Sequence, residues 1–311
     1  MILLGAVLQL ALLLSLAPLV TGVIRRLKAN LQMRQGPHVF QPYQDLYKLL
    51  RKEMVVPDTA SWIFSATPYV LFGSVATAGL MVPILYTAAP LSTIGGILAI
   101  IYLLALGRFF LALGALDSGT PFGGMGSSRE MTLSAIAEPA MMLAMFTVAI
   151  AAGTTNLSEL AGAATGQSWR FLAPSQILAF AALFLVLLAE TGRIPVDNPA
   201  THLELTMIHE AMILEYSGPY LALIEWGAWV KQLVLMTLLI NIFFPFGLST
   251  GWNPLALILS VILYAFKLLA LSVAVVLVES TNAKMRFFRV PELLSMAFVL
   301  GALALVSSFI F

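Results

Sequence analysis

Cysteine is absent from this chain of 311 residues. Its absence excludes disulfide bonds, iron–sulfur clusters bound by thiolates and cysteine nucleophiles. Charge is also scarce, because Asp, Glu, Lys and Arg make up only 10% of the residues and the formal net charge is +1. So small a charge argues against a nucleic-acid partner. If the protein takes part in redox chemistry, we expect another polypeptide to carry the redox centre.

Histidine is rare as well, and the sequence contains only His38, His202 and His209. No two of them form the pair at positions i and i+4 that binds zinc on a helix. We therefore predict that this chain has no metal site, no cofactor of its own and no catalytic centre of its own.

Apolar residues dominate the rest of the sequence. They make up 60% of the chain, whose mean hydropathy is +0.96, whereas globular chains are about 45–50% apolar. The opening stretch, Met1–Ile24, lacks the basic start of a secretory signal and is long enough to span a bilayer. No segment outside the hydrophobic stretches is long enough for a soluble domain. The sequence thus predicts an all-α integral membrane protein in which residues 1–311 form a single membrane domain.

A helix that crosses the hydrocarbon core needs about 20 mostly apolar residues. Eight stretches meet this requirement, and the fifth of them is the shortest. We therefore predict eight transmembrane helices. They are Ile2–Ile24, Trp62–Tyr86, Ser92–Leu116, Met131–Ala152, Pro174–Glu190, Tyr220–Phe244, Pro254–Val278 and Pro291–Phe311.

The basic residues orient these spans, because cytoplasmic loops carry an excess of Lys and Arg. Basic residues are concentrated in the loops that follow spans one, three, five and seven. They are Arg25, Arg26, Lys28, Arg34, Lys48, Arg51, Lys52, Arg129, Arg193, Lys284, Arg286 and Arg289. The opposite loops contain only Arg170. We predict that the four basic loops are cytoplasmic and that both termini lie outside.

A basic amphipathic helix is predicted at Gln41–Met54, in the first cytoplasmic loop. Apolar and aromatic side chains such as Tyr43, Leu46 and Leu50 recur there at helical spacing, and Lys and Arg fall largely on the other side. A helix of this kind is typical of the membrane interface. It serves either as an ordinary membrane anchor or as part of the wall at the mouth of a lateral cavity.

Several charged residues lie where lipid-facing helices would be apolar. A charge near the bilayer centre costs roughly 2.5–3.5 kcal/mol on insertion scales, so such residues face protein or water. Each one taken alone is equally compatible with a structural ion pair. Together they predict a hydrated polar axis through the helix bundle. The residues are Arg108, Glu138, Glu190, Glu225, Lys231, Lys267 and Glu279.

The segment after the fifth span also concentrates charge. Pro195 and Pro199 prevent the span from continuing. Asn198 and Pro199 fit an N-cap and a first helical position, so a helix is predicted over Pro199–Tyr216. Since this helix is too apolar for a solvated hairpin, we predict a cytoplasmic-side helical loop that folds back into the bundle between spans five and six.

We expect the acidic and basic groups of the axis and of this loop to form one network for ion translocation or coupling. Acidic groups held close together raise one another's pKa values, which suits proton handling. The predicted members are Glu138, Glu190, Asp197, Glu204, Glu210, Glu215, Glu225, Lys231, Lys267, Arg129 and Arg193.

Four motifs together resemble a known family. They are ETGRIPVD at 190–197 with EYSGP at 215–219, RQGPHV at 34–39, DLYKLLRKE at 45–53, and GSSREMTLSAIAEP at 126–139, in which nine positions separate Arg129 from Glu138. Over nearly the whole chain the sequence resembles subunit 1 of proton-pumping NADH:quinone oxidoreductase, or complex I. This family includes the membrane subunits of energy-converting group 4 NiFe hydrogenases.

Two segments resemble the formate hydrogenlyase and hydrogenase-4 branch of this family. They are LDSGTPFGGMGSSRE at 116–130 and DNPATHLELTMIHEAMILEYSG at 197–218. Quinone-reducing members typically carry several acidic residues just after the aspartate that corresponds to Asp197. Here Ala200 and His202 occupy such positions, and Glu204 alone keeps the pattern. A bound quinone is therefore not expected.

The resemblance implies a membrane subunit that docks a soluble redox arm on its cytoplasmic loops and couples redox chemistry to proton or sodium movement. The NiFe centre and the iron–sulfur clusters would belong to partners: hydrogenase large and small subunits, iron–sulfur proteins and antiporter-like membrane subunits. The implied location is a bacterial or archaeal cytoplasmic membrane. Residues expected near the docked arm are Arg34, Gly36, Pro37, Asp117, Arg129 and Glu130.

Two other functions stay open. A quinone-reducing subunit of the same family is distinguished by a tightly bound quinone or by sensitivity to quinone-site inhibitors. A free-standing secondary transporter is distinguished by internal repeats with broken helices at matching positions. The proline-rich segment after the fifth span has no counterpart in the first half of this sequence.

The predicted orientation can be tested by labelling, because the natural chain has no cysteine. Single cysteines at Lys28, Arg129, Arg193 and Arg286 should react with an impermeant reagent only from the cytoplasmic side. A cysteine at Arg170 should react only from the outside and serves as the matched control. Labelling of position 170 only from the cytoplasm would reverse the orientation.

Overall fold

The computed structural model describes residues 2–310 except 88, 93–94, 167–172, 199–206 and 250–253, and it describes no side chains at 2–4, 163–166 and 254–256. Within these limits the chain forms helices joined by loops and has no strand of its own, so the predicted all-α class is confirmed. In chain order the helices are α1 (Ile2–Leu31), α2 (Gln41–Leu50), α3 (Trp62–Met81), α4 (Ile97–Asp117), α5 (Pro121–Ala152), α6 (Leu157–Gly166), α7 (Pro174–Glu190), α8 (His209–Ile213), α9 (Gly218–Phe243), α10 (Pro254–Thr281) and α11 (Val290–Ile310), with a 3-10 turn at Phe287–Arg289.

Seven of the described helices are long and apolar enough to cross a membrane: α1, α3, α4, α5, α9, α10 and α11. The predicted fifth span, α7, has the predicted bounds but only 17 residues. At about 1.5 Å per residue it is about 25 Å long, shorter than a hydrocarbon core of about 30 Å. The count of eight spans therefore stays a prediction. The short length of α7 also places its last residue, Glu190, inside the protein, where its side chain is 2% exposed.

The most buried of the seven long helices is α9, whose neighbours include α1, α2, α3, α7 and α10. Its inward position explains the burial of polar side chains such as Gln232 and Asn241. In contrast, α10 and α11 lie at the periphery and expose large apolar side chains, including Phe266 and Phe309. The ionisable residues of α9 are therefore held within the helix bundle.

Local capping moves several helix ends away from their predicted positions. The helix predicted to begin at Met131 begins at Pro121, because the Thr120 hydroxyl accepts a hydrogen bond from the Gly123 amide and a proline follows the cap. This longer α5 carries Arg129 on the same rigid helix as Glu138. The amphipathic helix is confirmed but ends at Leu50, four residues before the predicted Met54.

The spans predicted at Trp62–Tyr86 and Ser92–Leu116 are also shorter at their facing ends, since α3 ends at Met81 and α4 begins at Ile97. The connection between them is tied to the short helix α6, which was not predicted. The side-chain amide of Asn156 donates to the Ser92 carbonyl at 2.7 Å. At the facing ends of the two helices, the Leu80 carbonyl accepts from the Leu91 amide at 3.4 Å, and the Ile97 amide donates to the Thr155 carbonyl at 3.0 Å.

Asp117 caps the start of α3. One oxygen of its carboxylate, Oδ2, accepts hydrogen bonds from the Ser61 amide (2.7 Å), the Ser61 hydroxyl (2.9 Å) and the Phe64 amide (3.2 Å). The ring of Phe64 stacks on Tyr216 with 4.0 Å between centroids. Asp117, which the resemblance placed near a docked partner, therefore has a structural role, because it joins the end of α4 to the start of α3.

The prediction of one helix over Pro199–Tyr216 is wrong in its described part, and residues 199–206 lie outside the described residues. A regular helix covers only His209–Ile213. The Met207 carbonyl accepts from the Arg129 guanidinium at 2.9 Å, and the Ile208 amide donates to Asp197 at 3.2 Å. Side chains thus take backbone groups that a continuous helix would need. The described part does fold back, because α8 lies against α4 and α5.

Replacement of Asp117 by alanine should destabilise the fold. The change removes the acceptor for three donors at the start of α3, and loss of a helix cap costs about 0.5–2 kcal/mol. The free energy of unfolding in detergent, measured by denaturant titration, should fall by about this amount. The matched control is Asp58→Ala at an exposed turn position, where we expect a change within about 0.5 kcal/mol. Equal stability of the two variants would contradict a capping role.

Candidate functional site

Four charged side chains from four helices meet in the interior. The Arg108 guanidinium (α4) contacts Glu138 (α5) through Nη2 at 2.8 Å and Glu190 (α7) through Nη1 at 2.6 Å. The second oxygen of Glu190 lies 2.7 Å from the ammonium of Lys231 (α9). The order Glu138, Arg108, Glu190, Lys231 alternates negative and positive charge, and we refer to these four residues as the central ion chain.

Burial makes this pairing obligatory. The exposed fraction of the side chain is 2% for Glu190, 5% for Arg108, 16% for Lys231 and 29% for Glu138. An unpaired charge at such a position costs several kcal/mol, whereas two positive and two negative groups in contact compensate one another. The two ends of the central ion chain are more exposed than its middle, so the ends are the groups that water can reach.

Close helix packing brings the four residues together. Gly107, next to Arg108, faces α3, and a Cβ there would lie 2.6 Å from the Ser74 hydroxyl oxygen. Gly227, one turn before Lys231, likewise faces α3, and a Cβ there would lie 2.4 Å from Leu71. Glycine at these two positions allows α4 and α9 to pack closely against α3.

A cavity of about 90 Å³ lies beside the central ion chain. Arg108, Glu190 and Lys231 line it, together with Glu130, Asp197 and several apolar side chains. A water molecule occupies about 30 Å³ in the liquid and needs two to four polar partners when buried. The volume and the polar groups suit a few water molecules, so the cavity provides the means to hydrate the middle of the chain.

A second ion cluster lies next to the first. Glu279, at the end of α10, contacts the ammonium of Lys28 (α1) at 2.9 Å and the guanidinium of Arg193 at 3.3 Å. Arg193 also donates to the side-chain carbonyl of Gln232 at 2.7 Å. Burial lowers the pKa of the Arg193 guanidinium, while the Glu279 carboxylate opposes that effect. Since Gln232 follows Lys231 on α9, the two groups of polar residues are joined by adjacent positions of one helix.

Two further predicted members of the network hold the loop after α7. Asp197 pairs with Lys284 at 2.7 Å and accepts hydrogen bonds from the amides of Asn198 and Ile208. Arg129 binds the Met207 carbonyl, and its guanidinium lies 5.5 Å from the centre of the Phe287 ring. Both side chains connect this loop to α5 and to the segment before α11.

The structure places other predicted network residues outside these two groups. Lys267 on α10 donates to the Asn241 side chain at 3.2 Å and to the Phe244 carbonyl at 2.9 Å, at the far end of α9. Glu210 lies in α8, Glu215 follows that helix, and Glu225 lies on α9 six positions before Lys231. None of the three has an ion pair in the described part of the chain. Glu204 lies outside the described residues. The ion-coupling role assigned to these residues stays a prediction.

The residues expected to dock a partner differ in their surroundings. Arg34 and Pro37 are exposed on the loop after α1. Gly36 lies against α1, where a Cβ would come 2.9 Å from that of Ala29. Glu130 lines the cavity beside the central ion chain. Among the residues that the structure describes, no group of three His, Cys, Asp or Glu side chains is placed to hold a metal ion.

Some members of the two ion groups are missing from the network predicted from sequence. Arg108 and Glu279 stand out as charges within apolar helices, which is a usable signal that each needs a partner, but that signal does not identify the partners. Lys28 and Lys284 carry no such signal, since both look like ordinary basic loop residues. Gln232 is uncharged and lies in a long apolar helix, so it carries no such signal either.

Comparison with known proteins identifies the fold and the family. The profile of the NADH dehydrogenase family matches residues 4–310. Hydrogenase-4 component C of Escherichia coli (strain K12) is 35% identical over 302 residues, covering 97% of this chain and 94% of the relative. Formate hydrogenlyase subunit 4 of the same organism is 33% identical over 300 residues and covers 96% of each chain.

Complex I subunits are also similar. An NADH-quinone oxidoreductase subunit of Rubrobacter xylanophilus is 26% identical over 250 residues, covering 78% of this chain and 73% of that subunit. A chain of the membrane-bound sulfane sulfur reductase, an archaeal respiratory membrane complex, superposes with a TM-score of 0.86 at 21% identity and covers 99% of both chains, which shows a shared fold. The resemblance seen in the motifs is confirmed: the chain belongs to the NADH dehydrogenase family and is a multi-pass membrane subunit of the type found in complex-I-like oxidoreductases.

Proposed function

We propose that this chain is the membrane-anchoring and coupling subunit of a complex-I-like energy-converting hydrogenase. In this role it docks a soluble arm that holds a NiFe centre and iron–sulfur clusters, and it links their redox chemistry to proton or sodium translocation. The central ion chain is the observation that carries the proposal. The hydrogenase-4 and formate hydrogenlyase relatives favour the hydrogenase branch.

The geometry of the central ion chain suits ion handling rather than anchoring alone. Hydrophobic contacts would anchor the subunit at lower cost, because desolvation of buried charges offsets much of their attraction. The helices α4, α5, α7 and α9 each contribute one charged group beside a cavity that suits water. A change of charge at one end alters the balance of the whole chain, which is the property that coupling requires.

The metal-binding side chains available in the sequence indicate which subunits hold the redox centres. The chain has no cysteine to bind an iron–sulfur cluster or a NiFe centre. We therefore assign the redox centres to partner subunits, which include hydrogenase large and small subunits and iron–sulfur proteins, alongside antiporter-like membrane subunits. A quinone role is less well supported, because Ala200 and His202 occupy positions at which quinone-reducing members typically carry acidic residues.

The exposed surface of the first cytoplasmic loop supports docking. Arg34 lies beside Met33, whose exposed fraction is 94%. Phe288, in the loop before α11, is 86% exposed, and its neighbour Arg289 is also exposed. Large apolar side chains next to basic ones on an exposed loop are typical of a protein interface. The proposed location is a bacterial or archaeal cytoplasmic membrane, with this face in the cytoplasm.

Docking is tested by reversing one charge. Arg34→Glu should reduce the amount of soluble hydrogenase subunits that co-purify with this chain in mild detergent, because a rim charge changes sign at the interface. The fold should be unaffected, since Arg34 is exposed. The matched control is Arg170→Glu, on the face predicted to lie outside. Undiminished co-purification with Arg34→Glu would argue that the partner binds elsewhere.

Coupling is tested by removing one negative charge while keeping side-chain size. Glu138→Gln should leave the complex assembled, because Arg108 still pairs with Glu190, but ion uptake into sealed vesicles should fall at equal redox turnover. Glu190→Gln should prevent assembly, because it strands Lys231 and leaves Arg108 with Glu138 alone, at a cost of roughly 3–5 kcal/mol.

The control for these two changes is Glu292→Gln, at an exposed position in the first turn of α11. It should assemble and move ions like the natural protein. If the assembled Glu138→Gln complex also moves ions normally, the central ion chain is a structural element and the coupling role is wrong.

A further inference from the structure

Arg108 is the only basic residue in α4, a helix of 21 otherwise mostly apolar residues. It uses two different nitrogens for two different carboxylates, Nη2 for Glu138 and Nη1 for Glu190. A guanidinium is planar and presents its donors in a fixed fork, so it can hold two anions at a set separation. Arg108 thereby fixes the distance between α5 and α7 at this depth.

The two carboxylates depend on Arg108 to different degrees. Both oxygens of Glu190 are engaged, one by Arg108 and the other by Lys231. Glu138 contacts only Arg108 among the described cations, and its side chain is also the most exposed of the four. Loss of charge at Glu190 would strand Lys231, whereas loss of charge at Glu138 leaves the other three groups in contact. Glu138 is therefore the end of the chain that can change its charge.

Few other ionisable groups are available to Glu138. The helices that lie against α5 are α4, α6, α7, α8 and α11. Besides Arg108 and Glu190, their acidic, basic and histidine residues are Asp117 on α4, Glu159 on α6, His209 and Glu210 on α8, and Glu292 on α11, while α5 itself adds Arg129 and Glu130. Asp117 caps α3, and Arg129 binds the Met207 carbonyl. No cation other than Arg108 is within ion-pair distance of Glu138 in the described part of the chain.

We propose that Arg108 is a positioning residue that connects Glu138 to the Glu190–Lys231 pair, so that a change of charge at Glu138 moves one guanidinium and thereby alters the pairing of Glu190. This inference rests on the proposed coupling function and names the residue through which the central ion chain responds. Its proton balance is simple: the Glu138 carboxylate takes H⁺ from a hydronium ion, an O–H bond forms, and one water molecule is released. The central ion chain then carries a net charge of +1, and Glu190 is the only anion still in contact with Arg108 among the described residues, while Glu130 lines the same cavity.

The decisive variant is Arg108→Lys, which keeps the positive charge but replaces the fork by a compact ammonium. A single compact ammonium cannot contact both carboxylates as the forked guanidinium does. The connection between Glu138 and Glu190 is therefore weakened, while the number of charges in the central ion chain is unchanged. The complex should assemble and its redox turnover should persist. Ion uptake per redox turnover should fall by about tenfold, the factor expected when one charge-assisted hydrogen bond is lost.

The control is Arg26→Lys, at an exposed position near the end of α1. It should leave both turnover and ion uptake unchanged. Wild-type ion uptake with Arg108→Lys would overturn the positioning role while leaving the proposed function intact, provided that Glu138→Gln abolishes uptake. If the natural complex moves no ions, the proposed function itself fails, so the two failures are distinguishable.

If the Arg108→Lys complex does not assemble, a single and a double variant test the same inference. Arg108→Gln alone strands the Glu138 carboxylate, because Glu190 keeps Lys231 as its partner, and it should prevent assembly. Arg108→Gln combined with Glu138→Gln leaves only Glu190 with Lys231, a neutral pair, and should restore co-purification of the subunits without ion uptake. If the double variant assembles no better than Arg108→Gln alone, or if it assembles and moves ions normally, Arg108 does not act through Glu138 and the inference is wrong.

Discussion

The structure depends on one constraint, which is that a fully buried charge must be in contact with a charge of opposite sign. Glu190 illustrates it, because its buried carboxylate lies between Arg108 and Lys231. These contacts join α4, α7 and α9, and Arg108 extends the connection to α5 through Glu138. The positions of four helices are thereby set by polar contacts that hydrophobic packing alone does not specify. The glycines at 107 and 227 let α4 and α9 pack closely against α3.

The early end of α7 links this constraint to the loop that follows. Because α7 stops after 17 residues, the chain leaves the helix while still inside the bundle, and its backbone groups need partners there. Asp197 and Arg129 supply them to Ile208 and Met207. Residues that looked like members of an ion pathway therefore also hold irregular backbone in place. Substitutions at Asp197 or Arg129 combine both effects, which is why Glu138 and Arg108 give cleaner tests of coupling.

Composition and hydropathy predicted the fold class and most of the helices, because an apolar stretch of sufficient length has few alternatives to a membrane helix. The Thr120–Pro121 cap of α5 is also readable from sequence, although hydropathy alone misses it. The partners of the buried charges could not be read in this way, since 82 positions separate Arg108 from Glu190 and 87 separate Asp197 from Lys284. The Asn198–Pro199 start signal likewise predicted a helix through residues 207 and 208, but it contains no information about distant side chains that bind the backbone groups of those residues.

The two ion groups share a design and differ in one respect that bears on function. In each, a buried glutamate lies between two cations: Glu190 between Arg108 and Lys231, and Glu279 between Arg193 and Lys28. The second ion cluster continues from Arg193 to the neutral amide of Gln232, so its only acid is one that two cations hold. The central ion chain continues from Arg108 to a second acid, Glu138, at a partly exposed end. Only an acid that a single cation holds can lose its charge without stranding a partner. On this difference we propose that ion handling belongs to the central ion chain, while the second ion cluster holds α1, α9, α10 and the loop after α7 together.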